Sequence, residues 1–234
     1  MKDVLRLRRS RERWATGLFI AEGAREVERA RAAGLVVRET FVAPELLPDW
    51  AHGGEEVSAR VLAKMSYRSE PEGVLAVVEA PHHELPPQAT LVLVAVGIEK
   101  PGNLGAMARS ADAAGADALL VADAEVDPWN PNAIRASTGA VFTLPIVDTN
   151  PARIRERFVR VAAAVVGAGT PYTEADLTPP TAIVVGAEYT GLSDAWKNAA
   201  DTCVHIPMRA RTADSLNAAT AAAILLFEAV RQRG

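Results

Sequence analysis

Short apolar runs alternate with longer amphipathic stretches along the chain of 234 residues. The amphipathic stretches repeat their apolar positions at the spacing of helices, and the runs between them have the length of buried strands. Strands are predicted at residues 18–20, 36–42, 73–78, 91–96, 119–121, 141–142, 161–166, 182–185 and 204–206. Strand–helix alternation at this spacing predicts an α/β fold with a parallel sheet covered by helices on both faces.

A proline-rich stretch, PHHELPPQAT at residues 81–90, interrupts the alternation. It contains three prolines and no apolar periodicity, a composition typical of linkers. We therefore expect a small α/β domain at residues 1–80, a linker at 81–90 and a larger parallel α/β domain at 91–234.

The C-terminal segment carries a long helical pattern behind a polar, basic loop at residues 209–214. Asp214 or Ser215 is the expected N-cap of this helix, because both side chains can accept a hydrogen bond from its first turn. The loop would bring Ser215 and Asn217 to a helix N-terminus, whose free N–H groups can hold a ligand. The simpler alternative is that both residues only start the helix. The apolar positions expected on one face are Leu216, Ala219, Ala223, Leu226, Phe227 and Val230.

The net charge of −4 excludes a nucleic-acid binder that is basic all over. A local basic cluster remains, because residues 1–13 carry six basic side chains against Asp3 and Glu12. Such a cluster can neutralise phosphates, although a frayed, solvated terminus would have the same composition. The candidates for RNA contact in this cluster are Arg6, Arg8, Arg9 and Arg11.

Cysteine and histidine usage argues against disulfides and metals. Cys203 is the only cysteine, and none of the four histidines has the spacing of a metal motif. No apolar run reaches the length of a membrane span, and the basic N-terminal segment lacks the apolar stretch of a signal peptide. We therefore expect a cytoplasmic protein without a metal and without a membrane partner.

Three segments of unusual composition follow predicted strands: EKPGNLGAMAR at 99–109, GAEYTGL at 186–192 and IPMRARTADSLN at 206–217. The carboxyl ends of parallel strands share one edge of the sheet, so the polar groups of these segments should converge there. No dinucleotide fingerprint, phosphate loop or nucleophile elbow occurs in the sequence. Dehydrogenases of the Rossmann type, P-loop NTPases and α/β-hydrolases are therefore disfavoured.

In this order, the three segments resemble the motifs of the SpoU-type (TrmH-like) RNA 2′-O-ribose methyltransferases, which belong to the SPOUT or α/β-knot superfamily. The resemblance spans residues 91–233 and includes the stretch at 130–139. Residues 1–80 resemble, more loosely, the L30e-like substrate-binding domain that precedes many such enzymes.

The resemblance implies a parallel sheet with a C-terminal deep trefoil knot, a homodimer, and S-adenosyl-L-methionine as cofactor. The residues it implies for catalysis are Asn103, Arg109, Glu188, Ser215 and Asn217. Those it implies for the cofactor are Gly186, Ile206 and Leu216. Further candidates for RNA contact are Arg135, Arg209 and Arg211. Tyr189 is a departure, because many relatives carry glycine there.

Methylation of a ribose 2′-hydroxyl requires the hydroxyl to be oriented and its developing negative charge to be stabilised. In the family, the counterpart of Arg109 is described as the base, although a guanidinium almost never deprotonates in proteins. Either Arg109 loses a proton transiently, or it stays cationic while water or Glu188 takes the proton.

The expected function is S-adenosylmethionine-dependent 2′-O-methylation of RNA, with ribosomal RNA as the preferred partner. Three alternatives remain open at the level of sequence. They are a non-catalytic RNA-binding factor for ribosome assembly, a ribosomal RNA methyltransferase that confers antibiotic resistance, and a transfer RNA 2′-O-methyltransferase.

Overall fold

Two β-sheets organise the protein in a computed structural model that describes residues 2–47, 53–123, 126–167, 169–209 and 212–234. The strands are β1 (Leu18–Glu22), β2 (Val37–Val42), β3 (Glu55–Glu56), β4 (Val74–Glu79), β5 (Leu91–Val96), β6 (Ala118–Ala122), β7 (Ile146–Asp148), β8 (Arg160–Ala164), β9 (Thr170–Pro171), β10 (Thr181–Val185) and β11 (Thr202–His205). The helices are α1 (Lys2–Arg6), α2 (Ser10–Thr16), α3 (Ala24–Ala32), α4 (Ala59–Met65), α5 (Pro101–Ala113), α6 (Pro131–Ser137), α7 (Pro151–Arg157), α8 (Asp194–Ala199) and α9 (Ala218–Arg233). Short 3₁₀ turns lie at Pro44–Leu46 and Ala140–Phe142.

The N-terminal unit contains a four-stranded sheet in the order β1-β4-β2-β3. Strand β4 is central and pairs antiparallel with both β1 and β2. Its residues are buried almost throughout, which explains why it reads in the sequence as a continuous apolar run.

The larger sheet has seven strands in the order β7-β6-β5-β10-β8-β11-β9, and every recorded pairing is parallel. Strands β5 and β10 are neighbours at its centre and are buried along their whole length. One face packs on α5, α6 and α9, and the other packs on α7 and α8. The predicted parallel sheet with helices on both faces is therefore confirmed, and the loops after β5, β10 and β11 meet at its carboxyl edge.

The sequence pattern predicts a helix that starts at Ala106, but α5 begins earlier. Its first residue is Pro101, whose missing N–H costs nothing at that position of a helix, so Asn103 and Gly105 lie in the helix rather than in a loop. A Cβ on Gly105 would lie 2.2 Å from the carbonyl oxygen of Ala133, which shows how closely α5 approaches α6.

The strand predicted at residues 141–142 is wrong. These residues form the 3₁₀ turn after Gly139, whose φ of 92° is in the left-handed region, and β7 begins only at Ile146. Val141 and Phe142 are apolar because they fill the core, and a short apolar run alone does not distinguish a strand from a buried turn.

Helix α9 begins two or three residues later than predicted. Asn217, and not Asp214 or Ser215, is its N-cap, because its side chain accepts hydrogen bonds from Ala219 N and Thr220 N. The buried face also differs from the predicted one, since Phe227 is 49% exposed. The residues that α9 buries are Ala218, Ala219, Ala222, Leu225, Leu226, Glu228 and Ala229.

The two units share one apolar core. Phe19 of β1 stacks on Trp129 and Phe142 of the larger unit, with ring centroids 4.9 Å and 5.8 Å apart. Residues 81–90, which contain no helix or strand, lie against the larger unit: His83 Nδ1 accepts a hydrogen bond from Ile146 N at 3.1 Å. Burial lowers the pKa of His83, which favours this neutral acceptor form.

Candidate active site

Three polar side chains from distant parts of the sequence meet at the carboxyl edge of the larger sheet. Glu188 Oε1 accepts hydrogen bonds from Asn103 Nδ2 at 3.0 Å and from Asn217 Nδ2 at 2.6 Å. Asn217 Nδ2 also lies 3.0 Å from Asn103 Oδ1. The structure therefore brings together three of the five predicted catalytic residues, one from each motif segment.

Backbone elements hold each member of this cluster. Asn103 lies in the first turn of α5, and Glu188 lies in the loop that leaves the buried strand β10. Asn217 is fixed as the N-cap of α9. Because β5 and β10 are paired in register, the segments that follow them emerge side by side.

Lys100 completes the cluster, because its Nζ donates to Glu188 Oε2 at 2.7 Å. The pKa of Glu188 is lowered, mainly by the hydrogen bond from Lys100 and to a smaller extent by the one from Asn103. Glu188 is therefore a carboxylate at neutral pH. The same contact raises the pKa of Lys100. Sequence reasoning missed Lys100; the available signal was its position three residues before Asn103 in the first motif segment.

A cleft of about 530 Å³ lies beside the cluster, between the segments after β8, β10 and β11 and the start of α9. All three predicted cofactor residues line it, together with two predicted catalytic residues. These lining residues are Gly186, Glu188, Ile206, Ser215 and Leu216. A Cβ on Gly186 would lie 2.5 Å from the backbone of Gly191, so only glycine lets this loop fold back so tightly.

The two other predicted catalytic residues stand outside the hydrogen-bonded cluster. Arg109 is exposed on α5 and has no hydrogen bond or ion pair with any residue in the described ranges. Ser215 is exposed at the cleft and likewise has no hydrogen-bond partner among those residues.

The predicted RNA-contact residues fall into two groups. Arg6 pairs with Glu12 at 2.8 Å, Arg8 donates to the carbonyl oxygens of Lys64 and Ser66, and Arg135 donates to Asn132 Oδ1 at 3.2 Å. The side chains that are exposed without such a contact in the described part of the chain are those of Arg9, Arg11 and Arg209. Arg211 lies outside the described residues.

Two structural features are absent from the described part of the chain, a membrane-spanning helix and a metal-binding cluster. None of its helices is long and apolar enough to cross a membrane. In the same residues, no group of three or more histidine, cysteine, aspartate or glutamate side chains could hold a metal ion.

Comparison with protein families gives two matches that together cover most of the chain. Residues 90–227 match the SpoU rRNA Methylase family, and residues 1–76 match the MRM3-like substrate binding domain.

Relatives match over nearly the whole chain. A 23S rRNA (uridine(2479)-2′-O)-methyltransferase of Streptomyces viridochromogenes is 36% identical, over 94% of this chain and 77% of its own length. The 23S rRNA (guanosine(2553)-2′-O)-methyltransferase RlmP of Bacillus subtilis is 32% identical, over 97% of this chain and 94% of its own. Among solved structures, the SpoU methyltransferase AviRb from S. viridochromogenes, in complex with the cofactor AdoMet, superposes with a TM-score of 0.89 at 31% identity, covering 99% of this chain and 97% of that one.

Proposed function

The chain belongs to the SpoU rRNA methylase family, and on that premise we propose that it methylates a ribose 2′-hydroxyl in 23S ribosomal RNA. Family membership confirms the expected knotted α/β fold, the reaction class and the use of S-adenosylmethionine. The observation that carries the proposed site is the convergence of Asn103, Glu188 and Asn217 beside the cleft.

The cleft suits the cofactor in size and chemistry. Its volume of about 530 Å³ falls within the range of small-molecule sites, which is roughly 300–1,000 Å³. Ile206 and Leu216 supply apolar wall, and the tight loop at Gly186 brings backbone N–H and C=O groups to the rim. We assign cofactor binding to Gly186, Ile206 and Leu216. When bound, S-adenosylmethionine supplies an electrophilic sulfonium methyl group.

The hydrogen-bonded cluster then orients the substrate hydroxyl. The amides of Asn103 and Asn217 and the carboxylate of Glu188 provide donors and acceptors at fixed positions, so the hydroxyl need not reorganise its surroundings as it reacts. The lowered pKa of Glu188 makes it a weak base. We therefore place Glu188 as an orienting group and let the hydroxyl proton leave to water.

In this proposal, Arg109 remains cationic, since a guanidinium almost never deprotonates. Its exposure on α5 leaves it available to an RNA phosphate or to the developing alkoxide. Ser215, exposed at the cleft, is placed as a further hydrogen-bonding group for the substrate.

We place the RNA across the N-terminal unit and the cleft. The unit matches a substrate-binding domain, and Arg9 and Arg11 are exposed on it. Exposed arginines bind phosphate without sequence preference and position the RNA. We also propose that the protein acts in the cytoplasm, as expected for an enzyme that modifies ribosomal RNA there.

We further propose that the enzyme is a homodimer that uses the uncovered face of α9. Phe227 is 49% exposed there, and the neighbouring Ala223 and Val230 are only partly buried. A buried Phe at such an interface removes a large apolar area from water. Phe227→Arg should therefore shift the protein toward the monomer in sedimentation velocity, and a wild type that sediments as a monomer would exclude the dimer.

The deciding experiment is titration calorimetry of S-adenosylmethionine into the wild type and into Arg109→Ala, with methyl transfer to unmodified 23S transcripts measured in parallel. We expect micromolar binding, about −8 kcal/mol, in both proteins. Methyl transfer should occur with the wild type only.

Two results would contradict this proposal. A wild type that binds no cofactor, even with RNA present, would favour the non-catalytic assembly factor. If Arg109→Ala transferred methyl groups as fast as the wild type, Arg109 would have no role in the reaction, although the protein would still be a methyltransferase.

A further inference from the structure

Tyr189 is the most exposed large apolar side chain in the described part of the chain, at 86% exposure. Burying an aromatic ring is favourable, so a ring that lies in solvent beside a functional site is available to a ligand that covers it. The mechanism described above does not use it.

Tyr189 lies between two features of the candidate site. It follows Glu188 directly and lines the cofactor cleft on one side. On the other side, it lines a small recess formed in part by Lys100 and Asn103. The ring therefore stands on the rim between the cleft and the hydrogen-bonded cluster.

A closed turn fixes the backbone on both sides of Tyr189. Gly191 N donates to the carbonyl oxygen of Ala187 at 3.0 Å, and the two residues form an isolated antiparallel bridge. Gly191 has a φ of 63°, and Gly186 lies against its backbone. Tyr189 is carried at the tip of this turn, so little backbone freedom is lost when a ligand packs on it.

We propose that Tyr189 is the stacking platform for the base of the target nucleotide. The inference rests on the proposed function, because that function places the reactive 2′-hydroxyl at the Asn103–Glu188–Asn217 cluster. The 2′-carbon and the carbon that carries the base are neighbours in the ribose ring. A ribose held at Glu188 must therefore carry its base close by, where the structure presents the aromatic ring.

The exposure of Tyr189 distinguishes a base-stacking role from the role of the residues that form the wall of the cofactor cleft. The side chains of Ile206 and Leu216, which line the cleft, are partly buried, whereas Tyr189 projects from the rim into solvent. Every nucleobase has a π-face, and aromatic side chains stack on bases that are unpaired and turned out of the helix. The inference therefore also defines the substrate class: the target nucleotide is unpaired when it is methylated.

Three variants test the platform. Tyr189→Phe keeps the ring, Tyr189→Leu keeps apolar volume without a flat face, and Tyr189→Ala removes both. The measurements are kcat/KM for an unmodified 23S transcript and the Kd of S-adenosylmethionine. We expect kcat/KM to fall about tenfold or more in the Leu and Ala variants and to stay near wild type with Phe. The Kd of the cofactor should be unchanged in all three.

Each other outcome overturns the platform. A weaker cofactor Kd in Tyr189→Ala would place the ring in the cofactor wall. Equal activity in Leu and Phe variants would show that volume, and not stacking, matters, and unchanged activity in all three would show that the ring is not used. Failure of the proposed function is distinguishable, because then the wild type itself would methylate no 23S transcript.

Discussion

Asn217 uses the two ends of its side-chain amide for different purposes. Its Oδ1 accepts hydrogen bonds from Ala219 N at 3.0 Å and Thr220 N at 3.3 Å, which caps α9. Its Nδ2 donates to Glu188 Oε1 and Asn103 Oδ1. One residue therefore starts the helix and orients the polar cluster.

Substitution of Asn217 should separate these two roles. Asn217→Ala loses the cap and should lower the free energy of unfolding by about 1 kcal/mol. Asn217→Ser keeps a capping oxygen and should recover most of that loss, but it cannot donate to Glu188 as the amide does. We expect methyl transfer to be strongly reduced in both variants, as measured beside urea unfolding curves. Activity that returns together with stability in the Ser variant would show that only the cap matters.

At the scale of single residues, the motif segments predicted Asn103, Glu188 and Asn217 as site residues, and the structure places them in hydrogen-bond contact. The N-cap of α9 was not predictable, because Asp214, Ser215 and Asn217 all have side chains that cap well and only the backbone path decides among them. The predicted functions of these residues remain predictions that the variants test.

Gly105 sets the distance between two helices. A Cβ there would meet Ala133 O at 2.2 Å and the side chain of Ala136 at 2.8 Å. Gly105→Ala must therefore push α5, which carries Asn103 and Arg109, away from α6. We expect the free energy of unfolding to fall by about 1–3 kcal/mol, as in other overpacked cores, together with a loss of methyl transfer.

Gly102 offers the matched control on the same helix. Nothing lies within 4 Å of a Cβ at Gly102, and its φ is not in the left-handed region. Gly102→Ala should therefore raise the free energy of unfolding by about 0.5–1 kcal/mol, because alanine is the better helix former. If both variants were equally stable in chemical denaturation, the close approach of α5 and α6 would not be a constraint in solution.

The last turn of α9 carries a pH-dependent contact. Glu228, whose side chain is 6% exposed, accepts two hydrogen bonds from Arg231 and one from Gln232. The pKa of Glu228 is lowered from 4.5 to about 2, and the hydrogen bonds from Arg231 are the largest cause of this shift. A carboxyl whose pKa is lower in the folded state stabilises the fold above its unfolded pKa and loses this contribution as the pH falls.

Glu228→Gln should therefore be less stable than the wild type at neutral pH. The difference in free energy of unfolding should shrink between pH 4.5 and about 2, where the wild-type carboxyl also becomes protonated. Thermal unfolding across this range measures it. A difference that stays constant with pH would mean that the ion pair contributes nothing through charge.

Helices and buried strands were predictable at the scale of elements because their apolar spacing is set by the core. The turn at Ala140–Phe142 was not, because its apolar side chains serve a tertiary contact with Phe19 that no local pattern encodes. The early start of α5 was hidden by Pro101 and Gly102, which resemble a loop in sequence.

At the scale of the whole molecule, the two units are joined by packing as well as by chain. Phe19, Trp129 and Phe142 form an aromatic stack across their boundary, and Ala89 in the proline-rich segment is buried. Composition predicted only a linker at residues 81–90, because prolines and polar residues have the composition of a linker whether or not they pack. Removing residues 1–80 would expose part of the larger unit's core, so point variants are the better probes of the boundary.

Arg13 and Asp127 form a buried ion pair across that boundary. Arg13 Nε and Nη2 donate to the two carboxylate oxygens of Asp127 at 3.0 Å and 2.6 Å, and Nη1 donates to Leu7 O at 2.7 Å. Both side chains of the pair are only 2% exposed. The pair therefore joins α2 to the segment that precedes α6, in surroundings where an unpaired charge is costly.

Removing one partner should destabilise the whole molecule. Asp127→Leu leaves Arg13 buried without its counter-charge, and Arg13→Met leaves Asp127 in the same state. Each should lower the free energy of unfolding by about 3–5 kcal/mol, whereas the double variant should lower it by clearly less than the sum, because no unpaired buried charge remains.

Because the units share a core, denaturant curves followed by tryptophan fluorescence and by circular dichroism should coincide in one transition. If the losses of unfolding free energy in the two single variants simply added up in the double variant, or if unfolding showed two separate transitions, the pair would not unite the units in solution.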